Sequence, residues 1–227
     1  MQKKYVLLQA LNDEPSFLFL AVKEGHVEVV RALLEVGGRE LAMMTAENGA
    51  SCLYISAANG HLDVAKALLE AGGCELAMLT SDDGASCLYI SAQEGHLEVV
   101  NALVEAGGLA LAMLAAGNGD SCLVISAESG HLEVVNALLE AGGCELAMLT
   151  SDDGASCLFI SAQNGHLQVV NALLEAGGRE LLMLTWDNGV SCLMISAQEG
   201  HLEVVNALLE AGGSSCELPL CRSSLRG

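Results

Sequence analysis

The chain has 227 residues, 52% hydrophobic and only 17% charged, a balance that fits one or two packed domains and excludes a disordered acidic tail. Nine Lys and Arg face 29 Asp and Glu, a formal charge of −20, which argues against nucleic acid and against a polybasic membrane surface, since both need clustered cations. Aromatics are only 3%, so a core must be built mostly from Leu, Val, Ala, Ile and Met.

Residues 1–14 carry Lys3 and Lys4, then a short apolar stretch interrupted by Gln9, with no small-residue cleavage site before Pro15. They read as a partial N-terminal cap rather than a secretory leader. No apolar run approaches the ~20 residues that a bilayer span needs. The nine cysteines are an odd count in a chain too long for the small disulfide-framed class. No Asn-x-Ser/Thr acceptor accompanies them, and a reducing cytoplasmic or nuclear setting is expected.

From residue 15 to residue 213 the sequence repeats every 35 residues. Gly-His falls at Gly25-His26, Gly60-His61, Gly95-His96, Gly130-His131, Gly165-His166 and Gly200-His201, and these are the six histidines of the protein. Residues 71–105 and 141–175 differ at four of 35 positions, which points to duplication of a two-repeat block.

One repeat shows the order of elements. Asp83-Gly84 signals a turn, and Ser86 is placed to cap a short helix over 87–94. Gly95 closes that helix. His96 and Leu97 open a second helix, with Glu98 in its favourable first turn. Leu97, Val100, Leu103 and Val104 keep helical spacing and form one apolar stripe. Gly107-Gly108 is expected to end this helix and release an extended connector to the next turn. Six such pairs fit between residues 15 and 213, and each needs its neighbours to bury both apolar faces. A tail, 214–227, breaks the pattern.

The segments GHLEVVNALLEAGG and DGASCLYISAQEGH resemble the second and first helices, with their turns, of ankyrin repeats. The resemblance spans roughly residues 12–213 and implies an all-α helix-turn-helix solenoid with projecting connectors. This sequence departs from the family pattern in three places. The usual period is 33, and two residues are added in the connector here. The motif proline is replaced by Cys52, Cys87, Cys122, Cys157 and Cys192. The motif histidine is replaced by Tyr54, Tyr89, Val124, Phe159 and Met194. In the family that histidine ties repeats together, so another contact is expected to do so here.

The in-register cysteines lie too far apart for disulfides if equivalent helices pack at ~8–10 Å, because a disulfide holds its Cα atoms within ~7 Å. Burial is the expected role. Side chains repeated along a stack do not converge, so the histidine ladder is expected to hold no zinc and to bond local backbone instead. No phosphate loop, His-Glu-x-x-His or Gly-x-Ser-x-Gly occurs, so neither an enzyme nor a cofactor is expected. The Met-Leu ladder (Met43-Met44, Met78-Leu79, Met113-Leu114, Met148-Leu149, Met183-Leu184) reads as core before groove. The periodic acids read as a solvated face, or else as a surface that steers a basic partner.

The resemblance implies protein–protein interaction through residues flanking the turn glycine and at the end of the first helix. The matching positions are Asp82, Asp83, Ala85, Gln93, Glu94, Asp120, Glu128, Ser129, Asp152, Asp153, Gln163, Asn164, Asp187, Val190, Gln198 and Glu199. Trp186, the one tryptophan, joins them either as a contact residue or as a locally packed ring. A non-catalytic fragment of a larger ankyrin-containing protein is the alternative reading. The last repeat lacks polar substitutions, so self-association through an uncapped C-terminal repeat is a further expectation.

Overall fold

The 35-residue pattern produces the same helix pair over and over. The computed structural model describes residues 17–213, with twelve α-helices and only isolated bridges between extended residues. The expected N-terminal cap, 1–14, and the tail, 214–227, lie outside the described residues. The fold divides into two compact units, one ending at Gly117 and the other starting at Asn118.

The first unit holds α1 (Phe17–Lys23), α2 (Val27–Ala42), α3 (Cys52–Ala58), α4 (Leu62–Ala77), α5 (Cys87–Gln93) and α6 (Leu97–Ala112). In it α1, α3 and α5 pack in succession, and α2, α4 and α6 pack in succession beside them. The second unit holds α7 (Cys122–Ser129), α8 (Leu132–Ala147), α9 (Cys157–Gln163), α10 (Leu167–Leu182), α11 (Cys192–Gln198) and α12 (Leu202–Gly213). There α7, α9 and α11 form one row and α8, α10 and α12 the other. Among the described residues no helix is long and apolar enough to cross a membrane.

Local chemistry sets each boundary. Ser51, Ser86, Ser121, Ser156 and Ser191 cap the short helices, each hydroxyl accepting from the amide three residues on, as Ser86 Oγ does from Tyr89 N at 3.1 Å. That bond satisfies one of the orphan amides of a helix start. Glu28, Asp63, Glu98 and Glu133 occupy the first turns of α2, α4, α6 and α8, where the macrodipole favours them.

The connector departs from the extended path expected from sequence. In α4, Gly73 takes a positive φ of 69° and breaks the helical path, but one further turn of helix follows before Met78. Gly72 explains why two glycines are used. A Cβ on Gly72 would stand 2.6 Å from Cβ of Leu76. Only a bare backbone lets the extra turn fold back and press its leucine onto the helix it came from. Leu41, Leu76, Leu111, Leu146 and Leu181 are all buried through this device. The two added residues of the 35-residue period therefore lengthen a helical return rather than a loop.

The Met-Leu ladder next to it is not core. Met43, Met113 and Met148 are half-buried, whereas Met78 and Met183 are exposed. The Leu-Ala pairs Leu41-Ala42, Leu76-Ala77, Leu111-Ala112 and Leu146-Ala147 take the core position instead, and before Met183 Leu181 does so alone.

The cysteine ladder is buried, as expected. Cys87 Sγ donates to the carbonyl of Ala77 at 3.3 Å, and Cys157 Sγ to that of Ala147 at 3.4 Å. The thiol thus joins the start of a short helix to the end of the helical return before it.

Candidate functional site

The turn and the first helix of each repeat are positioned by bonds that reach from one repeat to the next. In the first unit His61 Nε2 donates to the carbonyl of Lys23 at 3.0 Å and His96 Nε2 to that of Ala58 at 3.2 Å. In the second, His166 Nε2 donates to Glu128 O and His201 Nε2 to Gln163 O, each at 2.9 Å. A carbonyl only accepts, so Nε2 carries the proton in all four. Sequence alone pointed to a bond with local backbone, and the histidine slot instead reaches a distant partner. It grips the end of the preceding first helix, 38 residues earlier, and supplies a tie that the missing motif histidine does not.

The turn tips are linked as well. Asp82 N donates to Asn48 O at 3.0 Å, and Gly117 N to Asp83 O at 2.7 Å. In the second unit Asp152 N donates to Asn118 O at 3.1 Å, and Asp187 N to Asp153 O at 3.3 Å. The turns of each unit thus form a backbone-bonded row, and their side chains are presented on a fixed frame.

In the first unit Asp82, Asp83 and Glu94 are exposed and Gln93 is half-buried. Ala85 is the exception, at 4% exposure. Its small side chain fills the base of the turn, so it does not belong to the outer surface where sequence alone had put it. The hydroxyl of Ser81 donates to Asp83 Oδ1, and the Ala85 amide adds a second bond. These bonds hold the Asp83 carboxyl below its ordinary range. Tyr54, in the slot of the family's motif histidine, is half-buried near this turn. Burial, then the negative charges of Asp83 and Glu94, push its phenol upward.

The second unit brings four of the expected residues together. Asp120, Glu128, Asp152 and Asp153 line a groove of about 430 Å³, along with Asn118, Val124, Ser151, Ala155 and Ile160. The carboxylates form an acidic rim, and Val124, Ala155 and Ile160 give it an apolar side. Burial holds the Asp120 carboxyl above its ordinary range, against the bond from Asn118, and the nearby Asp153 and Asp152 charges add to the upward push. Asp153 is shifted the other way, chiefly by the donating hydroxyl of Ser151. Val124, Ala155 and Ile160 escaped the sequence reading because a residue that is core in one repeat can line a groove in another. Two hints were available: Val124 occupies the departed histidine slot, and Ala155 shares the slot of Ala85, Asp120 and Val190.

Ser129, Asn164, Asp187, Gln198 and Glu199 are exposed, and Gln163 and Val190 are half-buried. Asn164 is partly committed to the fold, since its Nδ2 donates to Glu128 O at 3.1 Å. Trp186 is half-buried, its ring centroid 5.4 Å from that of Phe159 at a tilt of 46°. Its indole also lies near the Asp153 carboxylate and adds slightly to the downward shift of that group. Local packing and partial exposure coexist at this residue, and Phe159, in the motif-histidine slot, is its seat.

Catalytic chemistry gains no support from the cysteines. Burial pushes the thiols of Cys52, Cys87, Cys122 and Cys157 up to about 12 and that of Cys192 to about 11, so the nucleophilic thiolate is suppressed. Among the described residues no group of three His, Cys, Asp or Glu side chains is arranged to hold a metal ion.

The sequence matches the family model described as ankyrin repeats (3 copies) over residues 3–78, 72–148 and 123–218. The fold is similar to the crystal structure of an ankyrin repeat domain from Acinetobacter baumannii, with a TM-score of 0.74 at 23% identity, over 86% of this chain and 97% of that one. It is similar also to the crystal structure of a second ankyrin repeat protein, with a TM-score of 0.75 at 22% identity, over 87% of this chain and 98% of that one. No curated protein sequence matches the chain.

Proposed function

From the premise that this chain belongs to the ankyrin-repeat family, we propose that it is a protein-interaction scaffold that takes up a basic segment of a partner on its turn and first-helix surfaces. Ankyrin repeats in general mediate protein–protein interaction. The observation that carries the finer reading is the groove of the second unit, with four carboxylates around an apolar side. A Lys or Arg stem can cover apolar surface while its charged end reaches a carboxylate. The charge of −20 would speed encounter with such a partner and repel acidic ones. The surface comprises Asp82, Asp83, Gln93 and Glu94 in the first unit. In the second it comprises Asp120, Glu128, Ser129, Asp152, Asp153, Gln163, Asn164, Trp186, Asp187, Val190, Gln198 and Glu199.

Fluorescence anisotropy with labelled decapeptides tests this. The set pairs Lys/Arg-rich peptides carrying one Leu with acidic peptides of the same length. The native chain should favour the basic set. Glu128→Gln together with Asp152→Asn should weaken that binding about tenfold, the loss expected for two modest charge contacts. Equal affinity for basic and acidic peptides, or an unchanged affinity in the double variant, would overturn the reading.

A further inference from the structure

Three residues in α7 and the turn before it depart from their counterparts in every other repeat, and all three line the groove of the second unit. Asp120 stands in the slot of Pro15, Ala50, Ala85, Ala155 and Val190. Glu128 stands in the slot of Lys23, Ala58, Gln93, Gln163 and Gln198. Val124 stands in the slot of Phe19, Tyr54, Tyr89, Phe159 and Met194. Two slots that carry no acid elsewhere have gained a carboxyl, and one slot that is large elsewhere has lost its bulk.

The large slot has a fixed neighbour. The phenol of Tyr54 lies close to the hydroxyl of Ser81, and the ring of Phe159 lies 5.4 Å from that of Trp186. Ser81 and Trp186 share one slot of the following turn. The residue in that slot after Val124 is Ser151, and Val124 and Ser151 both line the groove of about 430 Å³. Pockets that take organic ligands run from ~300 to 1,000 Å³, so this one admits a side chain.

The turn itself is the same in both units. Residues 81–85 and 151–155 are identical, Ser-Asp-Asp-Gly-Ala. Ser81 Oγ donates to Asp83 Oδ1, and Ser151 Oγ donates to Asp153 Oδ1. The first unit therefore shows what such a turn accommodates, the phenol of Tyr54 beside Ser81 and near the Asp83 carboxylate. Ser151 Oγ also accepts the Ala155 amide, which leaves it one lone pair for a further donor.

We infer that the groove takes a tyrosine side chain from the partner's basic segment, its ring over Val124 as Tyr54 fills the first unit from within, and its hydroxyl donating to the Ser151–Asp153 pair. The inference rests on the reading that a basic segment binds here, and it names the residue that anchors that segment. Asp120 and Glu128 then meet Lys or Arg next to the tyrosine.

The test replaces the one Leu of the labelled Lys/Arg-rich decapeptide by Tyr, Phe or Ala and measures anisotropy with the full chain. Tyr should bind about tenfold tighter than Ala, the upper range for an aromatic contact. It should bind about fivefold tighter than Phe, the worth of one hydrogen bond. Val124→Tyr fills the groove from within. The Tyr54 turn holds the same ring, so far-UV circular dichroism and urea unfolding should match the native chain. In this variant the Tyr, Phe and Leu peptides should bind alike. Val124→Phe, with the residue found at Phe159, gives the same closure without the hydroxyl. If basic peptides outbind acidic ones while Tyr, Phe, Leu and Ala bind alike, the tyrosine anchor is overturned and the basic-segment reading stands. If basic and acidic peptides bind alike, that reading falls and the anchor with it. A preference for Tyr that survives in both Val124 variants puts the ring elsewhere on the surface and overturns the inference too.

Discussion

At the residue scale, one imidazole per repeat does two jobs at once. His201 Nε2 bonds the carbonyl of Gln163, and its ring lies against Gly165, where an added Cβ would stand 2.6 Å from Cε1. Gly165 also has a φ of +74°, which costs an L-residue roughly 1–2 kcal/mol. His201→Ala should cost about 1 kcal/mol, the worth of an ordinary hydrogen bond. Gly165→Ala should cost more, because backbone strain and the ring clash add. In the His201→Ala background the same glycine change should cost only the backbone part. A double-mutant cycle by urea unfolding measures that difference, and strict additivity would remove the ring contact from the account. The Gly-His dipeptide was legible in sequence as a turn followed by a helix start. Its partner was not legible, because a bond across 38 residues depends on how repeats stack. The cysteine slot was legible as buried, since small size and helical register sufficed. The physical consequence is selectivity: Cys74 is exposed and Cys87 buried, with burial holding the Cys87 thiol at about 12. Thiol-labelling mass spectrometry at neutral pH should therefore modify Cys74 well before Cys87. Equal labelling rates in the native state would contradict that burial.

At the element scale, the helical return after the glycine pair is what distinguishes this repeat. A short run such as Cys-Glu-Leu-Ala-Met is too brief for periodicity to separate helix from loop, and Gly-Gly is an ordinary stop signal. The short helices were legible because each has a serine acceptor in a fixed place, and the start of each long helix because a Gly-His pair closes one helix just before it. The return was not, because its stability comes from the leucine packing back on the preceding helix, a tertiary effect. Leu146 is 1% exposed, so Leu146→Ala should lose about 2–5 kcal/mol through lost burial and the cavity left behind. Met183, two positions past the equivalent Leu181, is exposed, and Met183→Ala should stay within about 0.5 kcal/mol of native. Trp186 fluorescence during urea unfolding is a suitable probe for both, since its ring is seated on Phe159 in the same unit. Equal costs for the two substitutions would mean that the return is not part of the core. The same element logic explains the groove. Its rim residues Asp120, Asp152 and Asp153 sit at turns whose Asp-Gly and Asn-Gly signals are plain in sequence, whereas its apolar side comes from Val124, Ala155 and Ile160, two of them buried and one half-buried.

At the scale of the whole molecule, the charge of −20 acts on folding and binding in opposite senses. Like charges destabilise the compact state, so raising ionic strength from low values should raise the unfolding midpoint. A basic ligand gains from the same field, so its affinity should fall over the same range as the Debye length shortens to ~10 Å at 0.1 M. Acidity should separate the carboxylates of the groove. Asp120 is held above the ordinary carboxylate range by burial, and Asp153 below it by the Ser151 hydroxyl. As pH falls, Asp120 therefore takes up its proton first, and the rim loses one negative charge while Asp153 keeps its own. Binding of a cationic peptide stabilises ionised Asp120, so affinity must drop as pH falls through the raised Asp120 value and drop again at the lower one. In Asp120→Asn the first drop has no group to produce it, and the upper part of the profile should be flat. Anisotropy titrations of a Lys/Arg-rich peptide at constant ionic strength, from neutral pH downward, measure both curves. If native chain and Asp120→Asn gave the same profile, the peptide would be bound away from Asp120, and the groove would not be where the charge is read.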